Sequence, residues 1–123
     1  MFDVEYDRGA NCLNIVVKGF WEREDVAIFG GKMRSKARTA KAICGDFNAF
    51  VESLEFPVQA MDVAALLTHI MRGAMVTTTG RAAVVVGSQL NKTQAERTLV
   101  HPRVRIFLST EKARLWLATP AGG

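Results

Sequence analysis

Hydrophobic and polar positions change their period several times along this chain, and each change marks an element. Residues 2–6 (FDVEY) and 12–17 (CLNIVV) suit strands, and the DRGAN segment between them carries the glycine and asparagine of a turn. The chain therefore opens on an antiparallel hairpin. Over 21–40, Val26, Phe29, Met33 and Ala37 recur at three- and four-residue spacing, which marks an amphipathic helix with the pair Gly30-Gly31 inside it. Each mid-helix glycine costs about 1 kcal/mol relative to alanine. Such a pair implies close packing against a sheet or a partner.

Residues 47–53 (FNAFVES) read as a strand. Pro57 suits the first turn of a helix that runs over 58–75, with Met61, Ala64, Ala65, Leu67 or Thr68, and Met71 available to its buried side. The AAVVV run at 82–86 has no polar alternation, as a central parallel strand covered on both faces would require. A third helix fills 89–99, and 103–108 alternates again as a strand nearer an edge. Ser109 or Thr110 can cap a last helix over 111–118, whose Ala113, Leu115, Trp116 and Leu117 supply its packing face. After the hairpin, helix and strand alternate. That order predicts an α/β fold with a mixed, mostly parallel sheet of about five strands, about four helices and right-handed crossovers.

The 123 residues suffice for one core and not two, so 1–118 is read as a single domain and 119–123 (TPAGG) as a flexible tail. A composition of 49% hydrophobic and 23% charged residues is that of a globular protein. The apolar runs fall short of the roughly 18 residues a membrane span needs. Acids occupy MFDVEYD where a signal peptide would carry bases, so the expectation is a cytoplasmic protein without integral membrane association. Cys12 and Cys44 belong to no CxxC or Cys/His cluster, which predicts free thiols and no metal site.

The net charge of +4 permits weak attraction to polyanions without requiring it, and no nucleic-acid partner is expected. The basic residues form one dense run, KMRSKARTAK at 32–41. On a helix these charges point around most of the exposed face, which favours solvation over contact with phosphate or lipid.

Candidate chemistry is sparse. The stretch RAAVVVGSQLNKTQAERTL at 81–99 approaches a phosphate-binding loop, but GxxxxGK[ST] fails on register: Val86 and Asn91 stand where the glycines should be. Ser88 reads as a helix cap, and Ser88 with Lys92 remains at most a weak anion site. His69 and His101 have no obvious serine or cysteine partner, and Glu52 and Glu55 lack a defined pocket, so no catalytic residue is assigned. Trp21 and Trp116 are read as core residues.

Taken together, the opening hairpin, GFWEREDV, FVESLEFPVQ, GRAAVVVGSQLNKTQAERTL and HPRVRIFLSTEKARLWL resemble the bacterial SpoIIAA-like proteins, of the STAS and CRAL-TRIO-like fold, over about residues 2–118. The resemblance implies a small non-enzymatic regulatory module without a cofactor, whose namesake antagonises anti-sigma factors by binding a kinase partner. That namesake is switched by phosphorylation of a serine that follows an aspartate. The matching segment here, 55–61 (EFPVQAM), offers no Asp-Ser pair and no hydroxyl, so the switch is not carried over.

Two functions follow as expectations. One is a protein-interaction module acting through Val58, Gln59, Met61, Asp62, Met71 and Met75, whose methionines would furnish an adaptable apolar face for a protein partner or a second copy of the chain. The other, from the Sec14-like side of the resemblance, is a carrier or sensor of a small apolar or lipid-like ligand held between a helix and the sheet.

Overall fold

A computed structural model describes residues 1–119. Five strands, β1 (Phe2–Asp7), β2 (Cys12–Lys18), β3 (Asn48–Glu55), β4 (Ala82–Val86) and β5 (Val104–Phe107), form one sheet in sequence order. β1 pairs antiparallel with β2, and every later pairing is parallel. The helices are α1 (Arg23–Cys44), α2 (Met61–Thr77), α3 (Gln89–Thr98) and α4 (Thr110–Ala118). The expected α/β architecture is thus present, with β5 at an edge and β4 buried along its whole length.

Strand alternation divides the core. Val4, Leu13, Ile15 and Val17 pack with Val26, Phe29, Met33 and Ala37 of α1. On the opposite face Cys12, Phe50, Ala83 and Val85 meet Ala113, Trp116 and Leu117 of α4. α3 covers Val84, Val86 and Ile106 through Ala95 and Leu99, on the same side as α1. Trp21 is 1% exposed at the head of α1, edge-on to Phe2, Phe29 and Phe56, and its Nε1 donates to the Lys18 carbonyl at 2.9 Å.

Four local expectations are revised. α1 continues past residue 40 through Cys44 and ends on Gly45, whose φ of 75° is the left-handed conformation glycine adopts without strain. The same helix starts at Arg23, two residues later than read, because Glu22 and Asp25 form a reciprocal capping box there. α2 starts at Met61 and not near Pro57. The reason is Gln59: its Oε1 accepts from Trp21 N at 2.8 Å, and its Nε2 donates to the carbonyls of Gly19 and Pro57, which holds the 57–60 segment extended. Finally, Gly30 packs closely against a helix and not the sheet; a Cβ there would stand 3.2 Å from Ile70 Cδ1, whereas Gly31 faces open space. Of the tail expected to be flexible, 120–123 lies outside the described residues.

Candidate functional site

α2 is the most apolar helix of the chain, carrying only Asp62 and Arg72 as charged residues, yet only Val63 and Met75 in it are buried. Leu66, Leu67, Ile70, Met71 and Ala74 are half-buried. The geometry accounts for this. No Cα of α2 comes within 8 Å of a strand Cα, although α1, α3 and α4 all approach the sheet that closely. Beneath it, β3 and β4 present the short side chains of Ala49, Val51, Ser53, Ala82, Val84 and Val86. A helix held high above small residues leaves a gap.

The gap is an apolar cavity of about 220 Å³. Its roof is Leu67, Ile70, Met71 and Ala74, its floor the β3 and β4 residues, and its sides Phe29 and Met33 of α1 with Ala95 and Leu99 of α3. Exposed Pro57 and Val58 and the half-buried amides Asn91 and Gln94 supply its rim. The Ser53 hydroxyl, the polar group of the floor, is satisfied by donating to the Val85 carbonyl at 2.6 Å. Nothing in the wall demands a charged occupant. An apolar cavity of roughly 150 Å³ already accommodates benzene, so this one has room for a single-ring or short-chain apolar group.

Polar ties anchor α2 at its C-terminal end and along its flank. Arg103 of the loop before β5 donates to the carbonyls of Met75, Thr78 and Gly80 at 2.6–2.8 Å, which satisfies groups at the helix C-terminus. Lys41 Nζ donates to the Thr77 carbonyl at 2.9 Å, and Thr68 Oγ1 bridges to the Thr98 carbonyl of α3 at 2.9 Å. Just beyond α2, Asp46 accepts from the hydroxyls of Thr78 and Thr79 and from Thr79 N. Burial alone would push the Asp46 carboxyl up, but these hydrogen bonds outweigh it and hold the group down at about 2.

The six residues expected to form an interaction surface divide between an outer rim and an inner wall. Val58 and Met61 are exposed, Met61 at 90%. Gln59 is engaged in the loop tie already described, and the Asp62 carboxylate lies 3.9 Å from Arg23 Nε. Met71 and Met75 line the cavity. Ser88 Oγ accepts from Asn91 N at 3.1 Å as the cap of α3, and Lys92 Nζ lies 3.2 Å from the Glu96 carboxylate one turn on. Glu55 pairs with Lys18 at 3.1 Å. Cys12 is buried, which pushes its thiol up to about 11, and Cys44 is exposed. Among the described residues no three His, Cys, Asp or Glu side chains gather as a metal-holding group, and no helix is long and apolar enough to cross a membrane.

Sequential sheet order with one antiparallel edge and helices on both faces defines the class of the fold. A solved structure carries it further: an uncharacterised protein of the DUF3478 family from Shewanella loihica, described as having a SpoIIAA-like fold, superposes with a TM-score of 0.67. At 15% identity the match covers 95% of this chain and 92% of that one, so this chain has a SpoIIAA-like fold. No family model and no curated protein matches the sequence.

Proposed function

We propose that the protein is a non-enzymatic binding module that carries or senses a small apolar molecule in the cavity between α2, α3 and the sheet. The single observation behind this reading is the stand-off of α2: a strongly apolar helix whose inward residues pack sideways against the core residues of α1 and leave open space above the β3 and β4 floor. Natural interiors are packed close to crystal density. An apolar gap leaves the side chains that line it without partner atoms on one side, so their dispersion contacts are unmade. A ligand restores those contacts.

Native mass spectrometry of protein purified from several hosts tests the reading. The expected result is a population with added mass that organic extraction removes. Clean apoprotein from every host, combined with no uptake of added n-propylbenzene, would overturn it.

Exposed Val58 and Met61 favour a second reading, a protein-interaction module in a reducing, cytoplasmic setting. Under that reading Met61→Glu abolishes capture of a specific partner without altering the apolar cavity.

A further inference from the structure

The outer side of the α1–α2 seam holds a second cleft, of about 360 Å³, whose only charged or titratable lining groups among the described residues are Arg34, Arg38 and His69. Its environment is short of negative charge. There is no aspartate or glutamate anywhere in 26–45 of α1 and its cap, nor in 63–78 of α2 and its cap. Many cations elsewhere have structural partners: Lys18, Arg23, Lys36 and Lys92 face carboxylates, Arg81, Arg105 and Arg114 lie over aromatic rings, and Lys41 and Arg103 hold carbonyls, whereas Lys32 and Arg72 on the same two helices are solvated. Among the described residues Arg34 and Arg38 have no carboxylate within 4.0 Å.

Their placement is what distinguishes them from other surface arginines. Spaced one turn apart, the two arginines line the same cleft, and Arg34 Nη1 comes within 3.9 Å of where a Gly30 Cβ would stand. Gly73, in the opposite wall, adds no side chain to the cleft, and among the described residues nothing lies within 4 Å of its Cβ position. We infer that this cleft binds an anionic oxo group, a phosphate or a phosphate ester, between Arg34, Arg38 and His69. Paired planar guanidinium forks match the tetrahedral oxygens of phosphate in a way lysines do not.

The phosphate could be free or the headgroup of an amphiphile. Met33, Ile70 and Ala74 line both this cleft and the apolar cavity, so a chain attached to a bound headgroup has the cavity on the other side of the same partition. The anion site itself does not depend on the apolar-ligand reading, because it is built from different charged groups and is tested with a ligand that has no chain.

Calorimetric titration with inorganic pyrophosphate at low salt is the test, with decyl phosphate as a second arm. Wild type is expected to bind pyrophosphate saturably, and Arg34→Gln/Arg38→Gln to bind at least tenfold more weakly while keeping its circular dichroism spectrum. The control Lys32→Gln/Arg72→Gln removes the same charge from exposed helix positions outside the cleft and is expected to change affinity by less than twofold. Equal weakening in both double variants, or no saturable binding of either ligand by wild type, would overturn the proposal. Decyl phosphate binding over tenfold tighter than pyrophosphate identifies a headgroup, and equal affinities identify a free phosphate; both uphold the site. Loss of n-propylbenzene binding with pyrophosphate binding intact would discard the apolar reading and leave this one standing.

Discussion

Arg103 reaches back from the loop before β5 to the end of α2, where its Nη2 donates to the Met75 carbonyl at 2.6 Å. With the bonds to Thr78 and Gly80, one guanidinium closes the C-terminus of the helix that roofs the cavity. Hydrogen bonds from charged donors contribute about 1.5–3 kcal/mol. Arg103→Ala is therefore expected to cost roughly 2–3 kcal/mol in denaturant unfolding and to speed amide exchange near the C-terminus of α2. Arg103→Lys, a single point donor, should recover only part of that loss. Equal stability of wild type and Arg103→Ala would mean that other contacts hold the helix.

Two glycines near that helix predict opposite signs. A Cβ at Gly80 would overlap the Phe47 carbonyl oxygen, a backbone atom that cannot yield, so Gly80→Ala should destabilise by about 2 kcal/mol or more. Gly73 lies inside α2 with nothing within 4 Å of its Cβ position, so Gly73→Ala should stabilise by about 0.5–1 kcal/mol through helix propensity. Paired thermal melts check both signs.

Asp46 links acid stability to the same corner. Its native value of about 2 lies below the ordinary 3.8 because Thr78 and Thr79 hydrogen-bond the ionised carboxylate. A lowered folded value means stability that is fully present above the unfolded value and lost as pH falls toward the folded one. Wild type should thus lose stability more steeply between about pH 4 and pH 2 than Asp46→Asn does. Parallel curves from urea titrations across that range would refute the assignment.

The elements were legible because each has its own period: the alternation of β2 and β5, the three- and four-residue spacing of α1, and the unbroken apolar run of β4. Boundaries that depend on distant partners were not. The start of α2 is set by Gln59 reaching Trp21 and Gly19, across 38 and 40 residues of sequence. Met71 and Met75 have the same composition signal whether they face a partner or a cavity, and only the height of α2 above the sheet decides between them. One clue was available: the short residues Ala49, Ser53 and Ala82 share one sheet face beneath a helix whose apolar positions cover most of its circumference. Small floor and broad apolar roof together leave volume. Arg34 and Arg38 were visible within the basic run, but the cleft they line forms only when α2 packs alongside α1.

The cavity carries the central claim, and calorimetric titration of wild type and Ala74→Phe with n-propylbenzene tests it most directly. Ala74 lines the cavity from α2, so a phenyl group there fills the space the ligand would take. Saturable binding by wild type is expected, with at least a tenfold loss in Ala74→Phe at unchanged or raised melting temperature. Absence of saturable binding by wild type, or equal binding by a folded Ala74→Phe, would contradict the account.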